Sequence, residues 1–150
     1  MKEEITKKII AAALYKFSLQ HGRAVHDMRI AITTDRDDFA TPIFQTLCKK
    51  PDGQTITLNN VEFSDIYDGD MSIFSFFEKG GLGLLKKPLE ILVPEHLSSG
   101  LRKVAAENTV EPSKVKLIIV PSDDQVSKLA ILLFIGGTFK EQISLEKLLN

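Results

Sequence analysis

The chain has no tryptophan, two tyrosines and a single cysteine among its 150 residues. A stacking platform for single-stranded nucleic acid needs exposed aromatic rings beside positive charge. Here the aromatic content is mostly phenylalanine, and it sits inside apolar runs. One cysteine, Cys48, excludes an internal disulfide. No charge of either sign dominates. Nineteen basic and 20 acidic side chains leave a net charge of −1, so no global field draws a polyanion. No apolar run approaches the roughly 20 residues that cross a bilayer. The first residues, MKEEITKKII, are charged with helical spacing, unlike a secretory leader. These absences point to an intracellular, cytoplasmic setting and away from a membrane.

What is present suits one folded domain. Apolar residues make up 43% of the chain and charged residues 26%, which excludes wholesale disorder. A chain of this length buries roughly 70% of its unfolded surface, enough for a single core. We expect one α+β domain over residues 1–150.

Periodicity predicts the elements. Residues 2–21 form an amphipathic helix, with Ile5, Ile9, Ala13 and Phe17 on one stripe, Ile10 and Leu14 beside it, and Gly22 as a left-handed stop. DMRIAITT is a strand with Met28, Ile30 and Ile32 on one side. PIFQTLCKK and TITL flank KPDGQ, in which proline presets φ and glycine takes the left-handed position, so they read as a hairpin. Asn59-Asn60 is either a further turn or a bulge in one longer strand. DGDMSIFSFFEKGG reads as a short helix capped by Asp70, ended by Gly80, with Ile73, Phe76 and Phe77 inward. PLEILV reads as a strand. PEHLSSGLRKVAAEN is a second amphipathic helix, with Pro94 in its first turn and Leu97, Leu101, Val104 and Ala105 on one face. KVKLIIVP, the run Leu129–Ile135 and TFKEQIS form a terminal meander, and LEKLL a last short helix. Short turns between strands require antiparallel pairing, hence an antiparallel sheet with helices packed on it.

The run Leu129–Ile135 carries the functional expectation. Gly136-Gly137 supplies a two-residue primed turn, which fixes the register of the hairpin. An uninterrupted register pairs Ile135 with Thr138, Phe134 with Phe139, Leu133 with Lys140, Leu132 with Glu141, Ile131 with Gln142 and Ala130 with Ile143. Ala130, Leu132 and Phe134, with Phe139 and Ile143, then form the core face. Leu129, Ile131, Leu133 and Ile135 face the other way beside the polar row Thr138, Lys140, Gln142 and Ser144. An aliphatic stripe with a polar edge has the anatomy of an interface. Either another element of the same chain covers it, or a second copy or partner does. We expect a homodimer or a contact with another protein, with Leu129, Ile131, Leu133 and Ile135 at its centre and Lys140 and Gln142 at its rim.

Chemistry-bearing patterns are sparse. Asp35, Asp37 and Asp38 follow a strand in AITTDRDDF, and carboxylates there can hold Mg²⁺ or Mn²⁺. A small metal-dependent phosphoryl-transfer or hydrolase enzyme is the alternative reading, but no phosphate-cradling loop or lysine partner accompanies them, and a surface turn explains them. Asp65, Asp68 and Asp70 lack calcium-loop spacing, and EKGGLGLLKKP lacks the phosphate-loop pattern. His21 and His26 stand five apart, whereas a metal pair on one helix needs three or four. His96, Ser98 and Ser99 make no catalytic elbow. The basic doublets Lys7-Lys8, Lys49-Lys50, Lys86-Lys87 and Arg102-Lys103 read as wet surface, so nucleic acid is an unlikely partner. The residues call for no cofactor and no metal. The element order resembles that of small dimeric secretion chaperones in architecture only, and those proteins are more acidic than this chain. The leading expectation is a non-catalytic protein-binding or adaptor domain.

Overall fold

Computed as a structural model, the chain is described over residues 2–34, 42–67, 89–122 and 128–150. Helix α1 spans Lys2–His21, followed by strands β1 (Met28–Thr33), β2 (Ile43–Lys49) and β3 (Thr55–Val61). Helices α2 (Phe63–Ile66) and α3 (Leu89–Glu107) lead to β4 (Val115–Pro121), β5 (Leu129–Ile135) and β6 (Thr138–Ile143), and α4 (Leu145–Leu149) ends the chain. The strands make one six-stranded sheet in the order β3-β2-β1-β4-β5-β6. Every pairing is antiparallel. The α+β class and the terminal meander are as the sequence predicts.

The local signals act as read. Gly22 ends α1 at a φ of +62°, where a side chain would be strained. The Lys50–Gln54 turn closes with Lys50 N–H donating to the Gln54 carbonyl at 2.7 Å, and Gly53 takes the left-handed position. Gly136 and Gly137 have φ of +60° and +84°, both positive as the primed turn requires. Of the two readings of Asn59-Asn60, the bulge is observed. Thr46 pairs with Asn59 and Leu47 with Thr57, so Leu58 is the extra residue in one continuous strand.

One expected strand is absent. Residues 89–93 of that run, PLEILV, lie in helix α3 instead, and Pro94 lies inside that helix rather than in its first turn. A short apolar run fits a strand or a helical segment equally, and here the backbone is continuous with the helix behind it. The predicted short helix over 68–81 and its core residues Ile73, Phe76 and Phe77 lie outside the described residues, as does the glycine-rich stretch after it.

The sheet has unequal faces. The register strings Asn59, Thr46, Ile30, Ile119, Ile131 and Ile143 into one row across all six strands. The next row on the same face holds Val61, Phe44, Ile32, Leu117, Leu133 and Glu141. Their apolar members join one hydrophobic cluster with Ile9, Leu14 and Phe17 of α1, Ile66 of α2, Leu97, Leu101 and Val104 of α3, and Leu145 and Leu148 of α4. Each described helix therefore packs on this inner face. The burial of such side chains is worth about 1.5–3 kcal/mol each, which makes this layer the stabilising one.

The face assignment of the terminal hairpin is a correction. Pairing is regular at Ile135–Thr138 and Phe134–Phe139, then slips, so that Leu133 meets Glu141, Leu132 meets Gln142 and Ile131 meets Ile143. Lys140 is the extra residue of a β-bulge. Beyond the bulge the alternation of β6 is reversed relative to an uninterrupted strand. Ile143 turns inward beside Ile131, and Glu141 turns inward at the sheet edge, where it meets Lys147 of α4 at 3.3 Å. Ala130, Leu132, Phe134 and Phe139, expected in the core, lie on the opposite, outer face.

Candidate functional site

The expected associating surface does not stand open. Ile131 is 0% exposed and Leu133 2%, and both belong to the intrachain cluster. Leu129 and Ile135 are half-buried and packed against the same cluster. Of the two ways to cover that stripe, the chain uses its own helices. Lys140 is exposed, with its ammonium donating to the Asn108 side-chain carbonyl at the end of α3. Gln142 is exposed and lies on the outer face beside Leu132. The six residues are therefore split between the core, the bulge and the reverse of the sheet.

The outer face is built by the alternate residues of the same strands. Its central row runs Asn60, Gln45, Ala31, Ile118, Leu132 and Gln142 across the sheet. Amides close both ends of the row, and the Gln45 amide donates to the Asn60 side-chain oxygen at 2.9 Å. Between them the row is apolar. Val120 pairs with Ala130 on one side of it, and Lys116 with Phe134 on the other. None of these side chains belongs to the helix-covered cluster.

Exposure grades across this face. Ala31 is 0% exposed and Leu47 3%, whereas Ile118, Val120, Leu132 and Phe134 are half-buried and Phe139 is 52% exposed. The accessible part thus lies over β4–β6. Phe134 and Phe139, adjacent across the hairpin, meet edge to face with centroids 5.7 Å apart, a favoured arrangement of ring quadrupoles. Among the described residues Phe139 is the one large hydrophobic of the strands that stands exposed. The other large exposed hydrophobics, Tyr15 and Leu19, stand one turn apart on α1.

The charged residues that the strands place on this face are all basic, and one of them, Arg29, has Asp27 beside it just before β1. Arg29, Lys49 and Lys116 are the charged strand residues it carries, by the pairs Arg29–Leu47, Lys49–Thr55 and Lys116–Phe134. Arg29 donates to the carbonyls of His26 at 2.8 Å and Met28 at 3.1 Å. Desolvation by burial lowers its pKa, while Asp27 and the Cys48 thiol oppose that shift. A guanidinium shifted this way still carries its charge at neutral pH.

No constellation for catalysis is assembled from the other candidates that lie among the described residues. Cys48 is fully buried in the core, with its thiol donating to the Lys49 carbonyl at 3.4 Å. Asp65 serves α2, its carboxylate accepting from the Glu62 backbone N–H at 2.9 Å. His26 lies beside Asp27 at 3.6 Å. Among the described residues no group of three or more His, Cys, Asp or Glu is placed to hold a metal ion. Asp35, Asp37, Asp38, Asp68 and Asp70 lie outside the described residues. No described helix is long and apolar enough to cross a membrane.

The outer-face residues Ile118 and Val120 were not singled out from the sequence, although a signal was present. In KVKLIIVP, Lys116 marks the parity opposite to Val115, Leu117 and Ile119, and Ile118 and Val120 share its side. No protein-family model, curated protein or solved structure matches the chain.

Proposed function

We propose that this chain is a non-catalytic protein-binding domain whose contact surface is the outer sheet face over β4–β6. One observation carries the reading. Ile118, Val120, Leu132, Phe134 and Phe139 form a contiguous apolar area on the side of the sheet away from the helix-covered cluster. Accessible apolar area edged by amides and charges has the composition of an interface core with its rim. A protein partner suits it better than a small metabolite, because the described helices all pack on the inner face and none of them walls this one. An intracellular setting goes with the reading, since the only thiol is buried and unpaired.

Leu132→Lys tests this directly. On an accessible face the lysine reaches water, so cooperative urea unfolding should survive with a loss below about 1 kcal/mol. The same change at Ile131 should abolish the transition. Loss of folding in Leu132→Lys would assign the outer face to the interior and remove the reading.

A further inference from the structure

Apart from Lys140 in the bulge, which reaches Asn108 at the end of α3, the charges on the strands are segregated by face. Arg29, Lys49 and Lys116 all turn outward, and the acidic strand residue, Glu141, turns inward toward Lys147. The chain as a whole has one more acidic than basic residue, so this basic face is a matter of placement and not of composition. Two of the cations bracket the apolar row. Arg29 lies two residues before Ala31 on β1 and Lys116 two residues before Ile118 on β4, and Ala31 and Ile118 are paired on antiparallel strands. The two basic residues therefore flank that row from opposite sides, about 13 Å apart along the strands at roughly 3.3 Å per strand residue.

Resting on the proposed binding function, we infer that the outer face docks an acidic amphipathic segment of a partner protein, with an aliphatic stripe on Ile118, Leu132 and Phe134 and carboxylates facing Lys116 and Arg29. A helix rises about 1.5 Å per residue, so carboxylates two to three turns apart span the gap between the cations. A second copy fits poorly. Two-fold pairing through this face brings the Arg29 and Lys116 of both copies into one interface, no described strand residue on the face is acidic to answer them, and Asp27, just before β1, already interacts with the Arg29 of its own copy. Nucleic acid also fits poorly. Three cations give few phosphate contacts, and the centre of the face is aliphatic, with aromatic rings at one corner only.

Three probes separate these outcomes. They are an 18-residue synthetic peptide with a leucine stripe flanked by glutamates, the same peptide with lysines for glutamates, and an 18-nucleotide single-stranded DNA. Amide shifts and titration by fluorescence report where and how tightly each binds the full chain. The glutamate peptide should move the resonances of Ile118, Leu132 and Phe134 and bind at least tenfold more tightly than the lysine peptide. Raising the salt should weaken it, and Lys116→Glu should reverse the preference. Leu132→Lys should remove both peptides. Equal binding of the two peptides on this face would keep the binding function and overturn the acidic partner. Tighter binding of the DNA, or no shift on this face with the glutamate peptide, would overturn the inference. Loss of folding in Leu132→Lys would instead withdraw the binding function beneath it.

Discussion

Ile143 stands opposite Ile131 in the terminal hairpin, with both side chains buried, because Lys140 is squeezed out of the ladder between Phe139 and Glu141. The bulge does two things at once. It returns the end of β6 to the core, and it leaves Phe139 outward against Phe134. Helix α4 starts immediately afterwards, with Ser144 Oγ accepting from Lys147 N–H at 3.0 Å, so the inward turn of Ile143 also aims α4 at the core.

Deletion of Lys140 should therefore be tolerated. Removing it lets Phe139 and Glu141 follow each other in regular pairing and leaves Ile143 opposite Ile131. We expect a cooperative transition with a loss of about 1 kcal/mol, the scale of one surface contact with Asn108. Deletion of Lys140 and Gln142 together, which leaves no extra residue to absorb the second loss, is the contrasting case. It moves Ile143 to the outer face, so the loss should reach about 2–5 kcal/mol, as for emptying a core aliphatic site. Urea midpoints of the two deletions, compared at equal m, decide it; equal losses would mean that the bulge does not set the parity of β6.

Ile131→Ala and Leu132→Ala should differ sharply although the residues are neighbours. Ile131 lies in the helix-covered cluster, and its truncation should cost about 2–5 kcal/mol. Leu132 is half-buried on the outer face, and its truncation should cost about 1 kcal/mol or less. Chemical denaturation of both variants measures the difference, and similar costs would place a comparable layer over both faces.

Legibility followed the range of the signal. Helix α1 and its buried stripe were readable because Ile5, Ile9, Ala13 and Phe17 repeat with the helix itself, and the Lys50–Gln54 and Gly136-Gly137 turns because each depends on two or three adjacent residues. The bulge at Lys140 was not readable, since an inserted residue has no period and a single slip exchanges the faces. The strand expected at PLEILV failed because four apolar residues carry no period of their own. The pairing of β1 with β4 joins residues some ninety positions apart, so the rows through Ala31 and Ile118, or Ile30 and Ile119, had no local mark. The candidate site suffered most. Its stripe was found, but which side the helices cover depends on the whole sheet, and only Lys116 in β4 hinted at the answer.

Gly100 of α3 should resist substitution despite its helical position. In an open helix Gly→Ala gains about 1 kcal/mol. A Cβ at Gly100 would lie 2.8 Å from Leu148 Cγ and Cδ1 and 2.8 Å from the Leu148 carbonyl oxygen. The side chain can move, but the carbonyl is held in α4. Gly100→Ala should therefore lose about 1–3 kcal/mol by overpacking. Adding Leu148→Ala should relieve only part of that loss, with a coupling energy above about 0.5 kcal/mol in a double-mutant cycle. A more stable Gly100→Ala would show that α3 and α4 are not in close contact.

Gly136 isolates the backbone contribution, because a Cβ there meets nothing within 4 Å while its φ is +60°. Gly136→Ala should cost about 1 kcal/mol or slightly more, the strain of an L-residue held in the left-handed region. Gly136→Asn should cost less, since asparagine followed by glycine is the preferred pair for a turn with both φ positive. Neither change should alter the fold, because the turn tip is exposed and its N–H donates to the Lys114 carbonyl at 2.9 Å in either case. Thermal melts should rank the wild type and Gly136→Asn together, above Gly136→Ala. An alanine variant as stable as the wild type would mean that the chain reverses through some other turn, and with it the hairpin register that sends Leu132 and Phe134 outward would fall.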